Sequence, residues 1–139
     1  MYRKLSCLSL GVVLCALSLA CKRDADVGAV VDELNSFTQE IVKRVDANPT
    51  SAGVDDAQKY FDSRKDEIKG KLDSIKNVRQ AQVSEETMKK MTESIGNNAA
   101  TVAKLQLKYM NQSMRDPALR AKLGKLSQDY NALLLSVGK

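Results

Sequence analysis

The chain has 139 residues, 43% hydrophobic and 28% charged, with a formal charge of +5, which bounds it to one folded domain of ordinary composition. It lacks tryptophan and is only 4% aromatic, so its core must come from Leu, Ile, Val, Met and Ala, a palette better suited to helices than to a sheet. It also lacks histidine, which removes the commonest general base, the commonest transition-metal ligand and the usual haem ligand.

The first 20 residues read as an export signal. Arg3 and Lys4 form a short basic region, Leu5 to Ala20 is an uncharged run of 16 residues, and Lys22 and Arg23 end it. That run is shorter than the roughly 18 residues of a spanning helix, and it closes on small residues suited to cleavage. An uncleaved N-terminal membrane anchor is the alternative. Leu17, Ser18, Leu19, Ala20 and Cys21 resemble the lipobox of bacterial lipoproteins, in which a small residue precedes a cysteine that is acylated and becomes the mature N-terminus. The resemblance implies lipidation at Cys21, an envelope location and, from Lys22 after the cysteine, the outer membrane, facing the periplasm. Ser18 and Ala20 also suit an ordinary signal peptidase, which would release a periplasmic or secreted protein with a free thiol at Cys21. All three cysteines (Cys7, Cys15 and Cys21) lie in this leader region, so a product starting at Cys21 has no internal disulfide. Without the leader, 119 residues remain, with 20 basic against 17 acidic side chains and a charge of +3.

Beyond Cys21 the hydrophobic spacing is helical nearly throughout. The first helix, expected over 25–46, carries Val27, Val30, Leu34, Phe37, Ile41 and Val45 at steps of three and four. Asn48 and Pro49 break it. The second, over 52–81, places Val54, Phe61, Ile68 and Ile75 seven residues apart. The third, over 84–114, opens on Ser84 as N-cap, with Glu85 and Glu86 at the positive helix end and Val83 and Met88 at hydrophobic-staple positions. Its stripe of Met88, Met91, Ile95, Ala99, Val102, Leu105 and Tyr109 keeps phase across Gly96, which predicts an unbroken helix there. The fourth, over 117–137, starts with Asp116 as N-cap and Pro117 at the first position, followed by Leu119, Leu123, Leu126, Tyr130, Leu133 and Val137. Acid-before-base pairs four apart, Glu40 with Arg44, Glu67 with Lys71, Glu85 with Lys89 and Glu86 with Lys90, mark solvated faces at about 0.3 kcal/mol each.

The expected fold class is therefore all-α: an up-down-up-down four-helix bundle after an N-terminal signal peptide. Folding the chain at Pro49, Gln82 and Asp116 puts Phe37, Phe61, Val102 and Tyr130 in one layer, and Val30, Ile68, Ile95 and Val137 in the next. Ile75 and Met88 then face each other beyond the start of the first helix and the end of the fourth. The tip of the central hairpin is predicted to overhang on the side of Cys21, toward the membrane.

Catalytic and cofactor chemistry finds no support. The architecture resembles haem bundles of the cytochrome c-prime type, but the Cys-x-x-Cys-His attachment motif is missing. Asp32 with Glu33, Asp55 with Asp56, and Glu85 with Glu86 are helix neighbours that diverge by about 100° instead of converging on a substrate. No glycine-rich phosphate loop and no Gly-x-Ser-x-Gly elbow occurs. The expectation is no enzyme, no cofactor and no metal. Nucleic acid is an unsuitable partner, because acids are interspersed among the basic residues without aromatic interleaving.

The tip supplies the one candidate contact patch. From Lys69 to Lys90 it holds Lys69, Lys71, Lys76, Arg79, Lys89 and Lys90 against Asp73, Glu85 and Glu86, a local charge of +3. Ile75, Val78, Val83, Met88 and Met91 lie among them. Such a patch suits anionic headgroups or an envelope protein partner, methionine giving adaptable contacts. The competing expectation is that the hairpin closes on itself and on Val27. In function, the chain is expected to be a lipid-anchored, non-catalytic envelope protein working through protein or membrane contacts. The alternative is a small-ligand carrier or sensor using a cavity beside Phe37, Phe61 and Tyr130.

Overall fold

A computed structural model of the chain describes residues 10–76, 78 and 83–136. Among these every regular element is helical: α1 (Leu10–Ala47), α2 (Ser51–Ile75), α3 (Glu85–Lys108), the single turn α4 (Met110–Ser113) and α5 (Pro117–Leu135). Arg3, Lys4, Arg79, Gln82 and Val137, each given a place by the sequence reading, lie outside the described residues.

Local chemistry sets most helix ends. Asp116 accepts from the Leu119 amide at 3.0 Å, with Pro117 at the first helical position. Ser84 accepts from the Thr87 amide at 3.2 Å. Thr50, in extended conformation, caps α2 through the Gly53 amide at 3.4 Å. The turn before α2 is so tight that a Cβ on Gly53 would lie 1.8 Å from the Asn48 carbonyl oxygen. Gly96 sits inside an unbroken α3, with open space where a side chain would go.

Three boundaries differ from expectation. α1 does not begin near Ala25; its backbone is helical from Leu10 and runs through Cys21. α2 ends at Ile75, six residues early, after a last amide bond from Lys76 to the Leu72 carbonyl. The third helix, expected to reach 114, stops at Lys108, because Tyr109 leaves helical geometry (φ −104°, ψ 17°) where its hydroxyl donates to Asp46 of α1.

The neighbours also differ. α1 packs extensively on α2 and α3, and α5 packs on the same two. Consecutive helices α2 and α3 therefore stand diagonally across the core instead of forming a packed central hairpin. The nine residues between them, 76–84, reach about 30 Å when extended, ample for a diagonal crossing. Contacts give the directions. Arg44 meets Asp56 and Glu33 meets Arg64, so α1 and α2 run antiparallel. Asp24 meets Ser84, Asn35 meets Asn98 and Asp46 meets Lys108, so α1 and α3 run parallel.

The stripes read from the sequence form the core. Phe37, Phe61, Val102 and Tyr130 belong to one buried cluster, as expected. Phe37 is its hub, with ring centroids 5.7 Å from Tyr60, 5.9 Å from Phe61 and 6.1 Å from Tyr130. The fully buried Tyr130 hydroxyl pairs with Thr38, whose own proton goes to the Leu34 carbonyl at 2.8 Å, so the phenol must donate. Burial pushes that phenol up to about 12, and it stays protonated in any ordinary buffer.

A polar cluster, not anticipated from the sequence, sets the register of α1 on α3. The Asn35 side-chain oxygen accepts from Ser94 at 2.8 Å and Asn98 at 2.6 Å, and Asn98 also donates to the Ser94 carbonyl at 2.8 Å. Ser94 and Asn98 are buried. Because Ser94 would still satisfy Asn35, Asn98→Ala should cost about 1 kcal/mol, the net worth of one buried hydrogen bond. Urea unfolding of the variant beside wild type checks this; an unchanged midpoint would remove the cluster's claim to set register.

Candidate contact surfaces

The expected patch lies where the end of α2 and the start of α3 meet α1, and α1 covers it. Ile75 and Val83 are buried against Val27, and Val78, Met88 and Met91 pack half-buried on them together with Val30 and Val31. The α1 residues that cover it, Val27, Val30 and Val31, lie within the span expected for the first helix, so the tip closes on Val27, the competing expectation, instead of overhanging. Val83 and Met88, the two staple positions, both fall in this cluster. Arg79 lies outside the described residues, and Cys21 is placed only as a backbone position within α1.

What the tip presents outward is charge, and most of it is paired. Lys90 meets Glu86 at 2.7 Å and Lys89 meets Glu93 at 3.8 Å instead of the expected Glu85. Lys69 and Lys76 share Asp73 at 2.6 and 3.4 Å. Lys71 bridges Glu33 and Glu67, raising its pKa and stabilising the Glu67 carboxylate, which is lowered. The pairs Glu40–Arg44 and Glu67–Lys71 form as expected, at 3.0 and 2.9 Å. These bridges are exposed or only part-buried, where solvent screens ion pairs and they add little to stability. A groove of about 410 Å³ opens between α1 and α2 at this end, with Val27, Val30, Ile75 and Val78 in its walls and Arg23 and Lys71 beside them.

The acidic doublets diverge. Asp55 turns to Lys122 of α5, whereas Asp56 turns to Arg44 of α1 at 2.8 Å. Glu33 is held by Arg64 and Lys71, while Asp32 is exposed. Among the described residues no three His, Cys, Asp or Glu side chains gather as a metal site would require.

At the opposite end, Asp46 of α1 accepts from Lys108 at 2.7 Å and from Tyr109. Burial works to raise Asp46, but these two donors outweigh it and hold the carboxyl below its usual range. Burial first, and the hydrogen bond to Asp46 second, push the Tyr109 phenol up.

One surface escaped the sequence reading. Leu107, Met110 and Met114 are 71%, 52% and 72% exposed on the outside of α3 and α4. The signal was present as a second apolar stripe at helical spacing, but it runs back to back with the core stripe on the same helix, and periodicity finds the stronger of the two first.

No family model, no curated protein and no solved structure matches the chain.

Proposed function

We propose that the chain is an exported, non-catalytic helical protein of the cell envelope, lipid-anchored through Cys21 on the outer membrane facing the periplasm and acting through protein or membrane-surface contacts. Its working form is a four-helix bundle, up-down-up-down, with a diagonal crossing from the second helix to the third. The observation that carries this reading is a match of lengths. α1 has 38 residues, whereas α2 and α3, its packing partners, have 25 and 24. Cutting before Cys21 leaves α1 with 27 residues, about 40 Å, against about 37 Å for α2. The proposed processing point thus trims α1 to the length of the helices it packs on, and the segment removed, residues 1–20, contains the uncharged run Leu5 to Ala20 whose end forms the lipobox-like stretch before Cys21.

Two further observations support it. No helix among the described residues is long and apolar enough to cross a membrane; in this reading the lipid supplies the attachment. The layer in which a carrier would hold its ligand is filled by the Phe37, Phe61 and Tyr130 rings, with centroids 5.9 to 6.3 Å apart, which favours work on the outside. Two or more acyl chains, at about 0.8 kcal/mol per buried methylene, suffice for stable attachment.

The test is the intact mass of the protein from its native membrane fraction, beside Cys21→Ala. The expected product starts at Cys21 with added acyl mass, and Cys21→Ala abolishes both the acyl mass and the membrane association. A product starting at Cys21 with no added mass, found in the soluble fraction, would replace the anchor with ordinary cleavage.

A further inference from the structure

We propose that the outward face of α3 and α4 is a docking seam for an amphipathic helix of a partner protein, one whose apolar ridge is flanked by carboxylates. This rests on the reading of the chain as a protein that works through contacts, but not on acylation of Cys21.

α3 carries two stripes on opposite sides. The inner one, with Ser94, Asn98, Val102, Leu105 and Tyr109, is buried. The outer one is Gly96, Ala100, Ala103, Leu107, Met110 and Met114, all exposed, at steps of four, three, four, three and four. These steps average 3.6 residues, the period of one straight helix face, so the six positions line up along one side. The stripe persists past Tyr109 because the amides of Tyr109, Ser113 and Met114 still bond the carbonyls four residues back, at 2.9 to 3.0 Å. From Gly96 to Leu107 the seam runs about 17 Å along α3, about three turns, and Met110 and Met114 extend it past Tyr109. Its first half is small and admits a close backbone, and its second half supplies three large side chains, two of them adaptable methionines.

The flanks identify the occupant. Between Glu93 and Asp116 there is no acidic residue, whereas by helical spacing Lys104 and Lys108 share one flank of the seam on α3, and Arg115 follows its last residue. Asp46 engages Lys108, but Lys104 and Arg115 form no ion pair among the described residues. Elsewhere on α1, α2 and α5 most cations find a carboxylate of the chain itself. An antiparallel second copy would set this basic flank against itself, a like-charge penalty. A membrane is the poorer match: the seam is narrow, half glycine and alanine, and bordered by Asn97, Gln106 and Asn111, without the broad aromatic or leucine face of an interfacial helix. Its large residues also lie at the end where Lys108 meets Asp46, remote from the end that bears Cys21.

The test uses the full-length purified protein and two synthetic helical peptides with leucine at both seam positions of each heptad, one flanked by glutamate and one by lysine. Fluorescence anisotropy should show the glutamate-flanked peptide binding at least about tenfold more tightly, with the preference shrinking in high salt. Lys104→Glu with Arg115→Glu should invert the preference, and Leu107→Glu with Met114→Glu should lower affinity about tenfold or more. These positions are exposed, and circular dichroism of each variant verifies that the fold is kept. Equal binding of the two peptides, or binding indifferent to both pairs of substitutions, would overturn the seam. Concentration-dependent dimerisation abolished by Leu107→Glu with Met114→Glu would assign the face to a second copy instead. Adsorption to phosphatidylglycerol vesicles lost in that same variant would assign it to a membrane. An unacylated Cys21 would leave all of these outcomes standing, so the two readings fail separately.

Discussion

Phe37→Ala should destabilise the protein by about 3–5 kcal/mol, the range for deleting a buried aromatic side chain. Phe37 is 2% exposed and touches the rings of Tyr60, Phe61 and Tyr130, which come from α2 and α5. The loss is therefore spread over three helices, and the cavity cannot close by moving one of them. Aromatic contacts add about 0.5–1.5 kcal/mol beyond the area buried. With total stabilities of about 5–15 kcal/mol for natural domains, the change removes a large share of the whole. Equilibrium urea unfolding followed by circular dichroism should show a much lower midpoint with the slope little changed. Phe37→Leu, which keeps most of the volume, should lose clearly less. Equal losses for the two variants would mean that the site collapses easily and that the ring cluster is not the hub.

Gly53→Ala and Gly70→Ala should move stability in opposite directions, although both lie in α2. At Gly53 a Cβ would stand 1.8 Å from the Asn48 carbonyl oxygen and 2.8 Å from the Asn48 carbonyl carbon, both backbone atoms. Backbone cannot rotate away as a flexible side chain would, so the turn between α1 and α2 must shift and strain the Thr50 cap. The expected loss is about 3 kcal/mol, at the top of the overpacking range. At Gly70 nothing lies within 4 Å of the added atom, and the gain in helix propensity should stabilise by about 0.5–1 kcal/mol. Thermal unfolding of the two variants in parallel decides the matter. A stabilised Gly53→Ala would show that the approach of Asn48 to α2 is not a feature of the folded protein.

The same positions show how far the sequence can be read. Asp116 with Pro117, and Ser84 with Glu85, are helix starts written in side-chain chemistry that acts within four residues, and both were legible. The core stripes were legible for a similar reason: a helix must turn one side to the interior wherever that interior lies. Continuity across Gly96 followed from phase. Neighbour choice did not follow, because α1 could pair along its apolar side with any of the other stripes. The expected central hairpin of α2 and α3 gave way to a diagonal crossing, and only the contacts Asp24–Ser84, Asn35–Asn98 and Asp46–Lys108 reveal that α3 lies along α1. The packing of the candidate patch turned on the same choice of neighbours. Ile75, Val83 and Met88 were rightly grouped, and they close on Val27, the competing expectation; local spacing could not decide between an open tip and a covered one.

By itself, then, the sequence determined the helical class, the caps, the inward residues of each helix, the absence of histidine chemistry and the lipobox-like Leu17–Cys21, because composition and spacing up to one or two helical turns are local properties. Which helices touch, which way the tip faces and which of the two stripes on α3 meets solvent are decided only in the tertiary structure. Those outcomes depend on competition among several apolar faces for one interior, and the polar pairs that settle it, Asn35 with Asn98 and Asp46 with Lys108, join residues 63 and 62 positions apart.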